Sequence, residues 1–325
     1  MRSATARIDV HLAPDDLSRA LRDDARRGLT STPKELPPKY FYDERGSLLF
    51  DEITRLPEYY PTRREREILL AHADDIARLS NAHTLVELGS GTSEKTRVLL
   101  DALCRRDCLR RFAPFDVSEA ILRQAADAIN DEYAHLEVHA VVGDFERHIP
   151  ALPNTDARLI AFLGGTIGNF APEPRRAFLA SLADNMHEGD VLLVGFDLVK
   201  DVGRLEAAYN DSRGVTADFN RNVLRVLNRE LGANFVPERF DHIALWNDAD
   251  SWIEMRLRST IAQSVDVPGL DLTVTFAAGE QMRTEISAKF TRERIVRDLT
   301  DVGLDLRAWW TDAAGDFGLG LAERA

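Results

Sequence analysis

Cysteine is nearly absent from this chain of 325 residues, which contains only Cys104 and Cys108. Two cysteines are too few for a disulfide framework, and too few for a zinc site when no other ligands lie nearby. We therefore expect reduced thiols and no metal, as in a protein of the cytoplasm. Their spacing of four residues predicts that both lie on neighbouring turns of one helix.

Long apolar runs are missing as well. No stretch approaches the roughly 18 consecutive apolar residues that a membrane-spanning helix needs. The segment from Met1 to Arg7 runs into charged sequence without the apolar region of a secretory signal. The sequence therefore predicts a cytoplasmic protein with no membrane partner.

Basic residues are outnumbered, because 41 lysines and arginines face 54 aspartates and glutamates, for a net charge of −13. Nucleic-acid binding requires a concentrated basic patch, and the densest basic runs of this chain are short and mixed with acids. We therefore expect no nucleic acid as a partner. With 44% hydrophobic residues, the composition is that of a globular protein with one large domain or two modest ones.

Short apolar strands alternate with helices through the middle of the chain. The predicted strands are 84–88, 112–117, 137–142, 158–163 and 191–197. The predicted helices are 64–79, 94–103, 118–133 and 172–186, with Ser93 as the expected N-cap of the second. This alternation predicts an α/β fold with a parallel sheet covered on both faces. Helix 291–302 and strands 306–310 and 317–322 predict a closing antiparallel hairpin.

The alternation stops after Asp197. A long helix, 216–231, is followed by predicted strands 242–246, 252–260, 270–276 and 282–290 without helices between them. Consecutive strands of this kind predict an antiparallel sheet in a separate α+β insert. Before the α/β region, helix 17–29 leads into loop-like sequence that holds four of the six tyrosines. These rings fit either packing between domains or the wall of a ligand site.

A glycine-containing turn follows the first predicted strand, with the sequence Glu87-Leu88-Gly89-Ser90-Gly91-Thr92-Ser93-Glu94. Its glycines let the backbone turn sharply and approach a ligand closely. A pyrophosphate-binding motif would have a third glycine in place of Glu94, whose negative charge disfavours the phosphates of NAD. A nucleoside without phosphate, such as S-adenosylmethionine (SAM), meets no such repulsion.

Acidic residues also end the next two predicted strands. Asp116 is placed to accept hydrogen bonds from both ribose hydroxyls of a nucleoside. Asp144 can accept from an adenine amino group, and the ring of Phe145 can pack against the base. Ligands of open α/β sheets bind at the carboxyl ends of the strands, where all three strands place these groups. The closing hairpin agrees, because class I methyltransferases end their sheet in this way.

Several segments together resemble the histidine-specific methyltransferase family of ergothioneine biosynthesis. They are 36–43, 53–62, 87–96, 162–169, 284–287 and 309–312. The resemblance implies a class I SAM-dependent methyltransferase domain, a Rossmann-like sheet, formed by residues 64–199 and 290–325. It implies a second, substrate-binding domain formed by 11–63 and 200–289, which closes over the amino acid. The implied reaction is trimethylation of the α-amino group of L-histidine by SAM, which gives hercynine, in a monomeric enzyme.

The resemblance also implies contact residues. The implied cofactor contacts are Gly89, Lys95, Asp116, Asp144 and Phe145. The implied substrate contacts are Tyr42, Phe50, Tyr59, Gly164, Asn169, Tyr209, Met255, Glu285 and Ser287. Tyr59 and Asn169 are the implied catalytic pair that faces the amine. Because Glu285 and Ser287 are two apart on a predicted strand, they share a face and can present a carboxylate and a hydroxyl to an imidazole.

Three other functions are compatible with parts of this pattern. One is a methyltransferase for a different amino acid or a protein amine, which the mass of the product distinguishes. A nicotinamide-dependent oxidoreductase is a second, against which Glu94 argues. The third is an amino-acid sensor without turnover, against which the presence of Tyr59 and Asn169 argues.

Overall fold

The computed structural model describes residues 6–13, 15–155 and 157–325, which form two compact units. The first unit contains the described residues of 1–13, 63–198 and 290–325. The second contains those of 14–62 and 199–289. Among these described residues, no helix combines the length and apolarity needed to cross a membrane. The prediction of no secretory signal rests on the segment from Met1 to Arg7. Residues 1–5 of that segment lie outside the described part.

The chain forms nine helices and fourteen strands within its described residues. The helices are α1 (Asp16–Thr30), α2 (Glu44–Thr54), α3 (Pro61–Ser80), α4 (Arg97–Arg105), α5 (Glu119–Glu132), α6 (Pro172–Asn185), α7 (Val202–Tyr209), α8 (Val215–Leu231) and α9 (Arg292–Thr300). The strands are β1 (Arg7–Val10), β2 (Lys34–Glu35), β3 (Thr84–Leu88), β4 (Arg111–Asp116), β5 (Glu137–Val142), β6 (Arg158–Phe162), β7 (Val191–Asp197), β8 (Phe240–Asn247), β9 (Trp252–Ser259), β10 (Gln263–Val267), β11 (Leu272–Phe276), β12 (Gln281–Ala288), β13 (Leu304–Thr311) and β14 (Phe317–Arg324).

The first unit is built on an eight-stranded sheet in the order β1-β5-β4-β3-β6-β7-β14-β13. Neighbouring strands from β1 to β7 are parallel, and β14 pairs antiparallel with both β7 and β13. The central strands β3, β6 and β7 are buried along their whole length, as expected of a sheet covered on both faces. The predicted α/β sheet with a terminal antiparallel hairpin is thus confirmed. Strand β1 is an addition that is too short to stand out in the sequence.

The second unit contains a four-stranded sheet in the order β2-β12-β9-β8. The pairs β12–β9 and β9–β8 are antiparallel, which confirms the predicted sheet of the insert. Strand β11 does not join this sheet, because it pairs with β10 as a separate hairpin. Helix α8 buries an apolar face that includes Phe219, Val223 and Leu227 in the core of this unit.

Two local predictions on the first unit are wrong. Ser93 is not the N-cap of α4, because its backbone is left-handed (φ 52°) and the helix begins only at Arg97. Cys104 and Cys108 do not share one helix, because α4 ends at Arg105 and Asp107, which follows it, is also left-handed (φ 53°). Both thiols are free, as expected.

The tyrosine-rich segment of the second unit is not a simple loop. It contains α2, whose N-cap is Asp43 with a carboxylate that accepts a hydrogen bond from the Gly46 amide at 2.8 Å. Asp43 also accepts from the side-chain amide of Asn222 on α8 at 2.7 Å. These two bonds fix the start of α2 on α8, directly after Tyr42.

Candidate functional site

The glycine turn after β3 is tied to the end of β4. Gly89 and Gly91 have positive φ values of 68° and 49°, which glycine adopts without strain. The Gly91 amide donates to Oδ2 of Asp116 at 3.0 Å, while Oδ1 accepts from the Ser118 amide at 2.9 Å. The structure therefore brings together the predicted cofactor residues Gly89 and Asp116.

Both oxygens of the Asp116 carboxyl group are thus tied to the backbone. Burial raises the pKa of its carboxyl group, and the hydrogen bonds from the Ser118 and Gly91 amides oppose that rise. Two carboxylate oxygens offer about four acceptor positions, so the two amides leave capacity for further donors. Asp116 can thus accept hydroxyl groups of a ligand in addition to its two backbone partners.

The ring of Phe145 lies beside the glycine turn. A Cβ atom added to Gly89 would stand 3.8 Å from the edge of this ring. Phe145 also packs edge-on against Phe162 and Phe178, at centroid distances of 5.4 and 5.8 Å. The preceding residue, Asp144, accepts from the Glu146 amide at 2.9 Å and stays partly exposed. An aromatic ring therefore stands next to the turn, and a carboxylate lies one residue before it; both group types suit an adenine.

Three buried polar atoms of the turn, Glu87 Oε2, Ser90 Oγ and Ser93 Oγ, have no hydrogen-bond partner within the described residues. The Ser90 hydroxyl is buried and makes no hydrogen bond there. Unpartnered buried polar groups are rare, and an absent ligand is one of their standard explanations. Together with the acceptors and the ring, this donor set fits the polar and aromatic parts of SAM.

Lys95, the remaining predicted cofactor contact, pairs with an acid that the sequence analysis missed. Its Nζ forms an ion pair with Glu65 of α3, whose side chain is fully buried. The other oxygen of Glu65 accepts from the Gly164 amide at 2.6 Å. The sequence does contain a signal for Glu65. This charged residue lies one turn before the apolar Ile68 and Leu69, on the apolar face of helix α3. Glu65 therefore links Lys95 to the loop after β6.

Gly164 and Asn169 lie in the first unit, on the loop and short helical turn after β6. Gly164 has φ 83°, so its conformation favours glycine, and its amide is the one held by Glu65. Asn169 ends the 3-10 turn Thr166–Asn169 and is partly exposed. The other seven predicted substrate contacts belong to the second unit.

Four of those seven form one aromatic cluster. Tyr42 meets Phe50 edge-on with centroids 5.4 Å apart, and Phe50 meets Tyr59 in the same way at 6.1 Å. Tyr59 in turn meets Tyr209 at 6.3 Å. Phe219 of α8 joins the cluster at 5.4 Å from Tyr42 and was not predicted. The tyrosines thus supply both an aromatic wall and hydroxyl groups.

Strand β12 carries the remaining polar contacts. Ser287 and Tyr209 are joined by a hydrogen bond of 2.7 Å between their hydroxyl oxygens. Glu285 lies two residues before Ser287 on the same face, and it is paired in register with Met255 of β9. Burial raises the pKa of Glu285 to about 7, against the opposing charge of Lys289. The predicted residues Tyr209, Met255, Glu285 and Ser287 are therefore neighbours.

The main chain of Tyr209 is held by a histidine that the sequence analysis also missed. Nδ1 of His242 accepts from the Asn220 amide at 2.9 Å, so Nε2 carries the proton and donates to the Tyr209 carbonyl at 2.8 Å. Burial lowers the pKa of His242, which keeps it neutral. Tyr209 is consequently anchored at its backbone as well as at its hydroxyl group.

The raised pKa of Glu285 predicts a pH-dependent gain in stability on its replacement. In the unfolded chain the carboxyl group ionises at lower pH than in the folded protein, so the folded state becomes less stable as pH rises through about 4.5 to 7. Glu285→Gln is expected to remove this loss and to be more stable than wild type near pH 8, on the order of 1–3 kcal/mol. Below about pH 4 the difference should vanish, because the carboxyl group is then protonated in both the folded and the unfolded state.

Thermal denaturation at both pH values measures this difference. Glu280→Gln is the matched control, because hydrogen bonding to Lys34 lowers the pKa of Glu280. Its removal should destabilise the protein above the ordinary pKa of the group, which is the opposite sign. Equal melting shifts for Glu285→Gln at both pH values would contradict the assigned pKa.

Comparison with known proteins gives concordant matches. The family model described as histidine-specific methyltransferase, SAM-dependent, matches residues 21–324. The histidine N-alpha-methyltransferase of Mycolicibacterium smegmatis is 57% identical over 320 residues, covering 98% of this chain and 100% of that protein. The protein of the same name from Mycobacterium tuberculosis is 57% identical over 314 residues, covering 97% and 98%. Ergothioneine biosynthesis protein 1 of Schizosaccharomyces pombe is 35% identical over 216 residues, covering 63% and 28%.

Proposed function

Because the chain belongs to the family of histidine-specific, SAM-dependent methyltransferases, we propose that it methylates the α-amino nitrogen of free L-histidine. Three transfers give Nα-trimethylhistidine (hercynine), the first step of ergothioneine biosynthesis. The observation that carries the choice of substrate is the side-by-side position of Glu285 and Ser287, beside the Tyr209 hydroxyl. A carboxylate and a hydroxyl on one strand face suit the two nitrogen atoms of an imidazole.

We assign SAM to the first unit. Asp116 accepts the ribose hydroxyls, Asp144 accepts from the adenine amino group, and Phe145 packs on the base. Gly89 permits close approach of the backbone, and Lys95 contributes a positive charge beside the turn. The free acceptor positions of Asp116 and the unpartnered Ser90 hydroxyl support this assignment.

We assign most histidine contacts to the second unit. Glu285 accepts an imidazole N–H, Ser287 binds the other ring nitrogen, and Met255 lies against Glu285. The Tyr209 hydroxyl donates to the substrate carboxylate. Tyr42 and Phe50 line the site through the aromatic cluster. From the first unit we assign Gly164, together with Asn169, whose amide can donate to the same carboxylate.

Catalysis then depends on orientation more than on a strong base. SAM supplies an electrophilic methyl group, so that each transfer forms a C–N bond and breaks a C–S bond. The amine must be deprotonated to attack, and solvent takes its proton. The pKa of an α-amino group is near 7.7–8.0 at a peptide terminus and is raised beside the free carboxylate of an amino acid. The Tyr59 and Asn169 oxygens accept amine N–H groups and aim the lone pair. Holding the reacting atoms in line lowers the barrier by several kcal/mol.

Incubation with SAM and a panel of free amino acids, followed by mass spectrometry, tests the proposal. We expect L-histidine alone to gain three methyl groups. Trimethylation of another amino acid with no change in histidine would assign the protein to a different amine. Absence of any methylated product, with SAM still bound, would favour a sensor without turnover.

We also infer that the enzyme works as a monomer in the cytoplasm. The free thiols of Cys104 and Cys108 support a reducing compartment. Light scattering coupled to size-exclusion chromatography measures the oligomeric state, and a mass near 36.5 kDa is the expected result.

A further inference from the structure

Glu65 is an acid of the first unit that lies on helix α3 and has a fully buried side chain. Charged side chains are almost never fully buried unless a partner compensates the charge. Its Oε2 atom forms an ion pair with Nζ of Lys95, and its Oε1 atom accepts from the Gly164 amide at 2.6 Å. Each carboxylate oxygen is therefore bound by a loop that follows a central strand of the sheet.

The sheet leaves space for this carboxylate at Gly195, inside the buried strand β7. A Cβ atom at Gly195 would overlap with Oε1 of Glu65 and would stand 3.1 Å from the ring of Phe317. Glycine inside a strand weakens the strand and often marks a close approach of this kind. The position of the Glu65 carboxylate therefore depends on the Gly164 amide on one side and on the bare backbone of β7 on the other.

Lys95 differs from Glu65 because 27% of its side chain remains exposed. A Cβ atom added to Gly164 would stand 3.6 Å from Nζ, so the ammonium lies against an exposed part of the loop after β6. An ammonium group has three N–H donors, so Lys95 can donate to Glu65 and to a ligand at the same time. The Glu65 carboxylate thus holds a cation that a ligand can reach.

A second buried acid, Glu87 of β3, competes for this ammonium. Burial raises the pKa of Glu87 to about 7, the Thr96 hydrogen bond and the charge of Lys95 oppose that rise, and the charge of Glu65 adds to it. Within the described residues only Glu65 forms a direct ion pair with Lys95. A cation that interacts with two acids suits the amino-acid end of SAM, which carries a carboxylate and an ammonium.

This inference rests on the proposed function, in which Lys95 contacts SAM. The only anionic group of SAM is the carboxylate of its amino-acid end, and Lys95 is the only cation among the assigned cofactor contacts. We propose that Glu65 is a positioning residue for cofactor binding, which holds the Lys95 ammonium where it pairs with this carboxylate. Glu65 acts through Lys95, since its own side chain is fully buried.

Glu65→Gln tests this role, because glutamine has the shape of glutamate and no charge. Its carbonyl oxygen can keep the bond from the Gly164 amide, whose donor is fixed in the backbone. Its NH2 group then faces Lys95, and two donors cannot form a hydrogen bond with each other. The partly exposed ammonium can turn away toward Glu87. We therefore expect a folded variant in which Lys95 has left its place.

Calorimetry with two ligands measures the consequence. S-adenosylhomocysteine has the carboxylate, whereas decarboxylated S-adenosylhomocysteine keeps the nucleoside, the sulfur and the amine without it. Glu65→Gln is expected to weaken binding of S-adenosylhomocysteine roughly 10- to 100-fold, as for a lost hydrogen bond to a charged group. Binding of the decarboxylated ligand should stay close to that of wild type, because this ligand has no partner for Lys95. A general disturbance of the site would weaken both ligands alike.

Glu67→Gln is the matched control. Glu67 lies on the same helix, and its two oxygens likewise bind a cation, Arg64, at 2.9 Å and a backbone amide, that of Ala313, at 3.2 Å. Neither partner is an assigned cofactor contact, so both ligands should bind as they do to wild type. Gly195→Ala is a second test variant, because it keeps the charge of Glu65 and displaces its carboxylate. It should also reduce the preference for the ligand that has the carboxylate.

The possible outcomes are distinct. Equal affinities of wild type for the two ligands overturn the inference, as does an unchanged ratio of the two affinities in Glu65→Gln. If Glu65→Gln does not fold, a reduced ratio in Gly195→Ala supports the inference and an unchanged ratio overturns it. A wild-type protein that prefers S-adenosylhomocysteine in this way and does not methylate histidine contradicts the proposed function instead.

Discussion

Glu285→Ala is expected to raise KM for L-histidine roughly 100- to 1000-fold, because it removes a partly buried charged partner of the imidazole. The effect should be confined to the amino acid. Glu285 and its neighbours Met255 and Ser287 belong to the second unit, whereas the assigned cofactor contacts belong to the first. Affinity for S-adenosylhomocysteine should therefore remain that of wild type.

Steady-state kinetics with histidine and calorimetry with S-adenosylhomocysteine separate the two effects. Glu280→Gln serves as control, because Glu280 precedes the same strand and pairs with Lys34. An unchanged histidine KM in Glu285→Ala would refute the imidazole assignment. Equal losses for histidine and for the cofactor would instead indicate a general disturbance of the fold.

Asp116→Ala is expected to weaken S-adenosylhomocysteine binding roughly 100- to 1000-fold, since it removes the carboxyl acceptor assigned to two ribose hydroxyls. It also frees the Gly91 amide, so the turn loses one of its ties to β4, while the Gly89 and Ser90 amides still donate to the Phe115 carbonyl. Asp116→Asn preserves the shape and one acceptor oxygen, and we expect an intermediate loss. An S-adenosylhomocysteine affinity that increases from Asp116→Ala through Asp116→Asn to wild type would indicate that this carboxyl group contacts both the ligand and the turn.

Calorimetry with S-adenosylhomocysteine measures this order directly. Asp127→Ala is the control, because Asp127 is an exposed aspartate on α5 of the same unit. Intact cofactor affinity in Asp116→Ala would show that the ribose assignment is wrong. A melting temperature lowered equally in both Asp116 variants would point to the turn alone.

The α/β unit was predictable because its central strands are buried on both faces and therefore appear in the sequence as apolar runs. Short or interrupted elements lacked that signal. Strand β1 has only four residues, and α2 contains Gly46 and begins directly after an aromatic segment. The boundaries of α4 were misplaced because left-handed residues at 93 and 107 are not distinguishable by residue type alone.

The candidate site was predictable to the extent that it follows strand ends and strand faces. Spacing places Asp116 at the end of a strand and places Glu285 on the same face as Ser287, as the structure has them. It did not identify Glu65 and Lys289, since spacing says nothing about burial of a charged side chain. Pairing of buried charges depends on residues distant in sequence, such as Gly164 for Glu65 and Tyr209 for Lys289.

Strand β14 lies inside the sheet of the first unit, between β7 and β13, although it follows all the other strands in the chain. During synthesis from the N-terminus, β7 therefore keeps an open edge until residues 317–324 have emerged from the ribosome. Exposed apolar edges of this kind recruit other strands and promote aggregation. The sheet thus stays incomplete while residues 198–316 are made, and shielding of the β7 edge over that interval would suppress pairing with other strands.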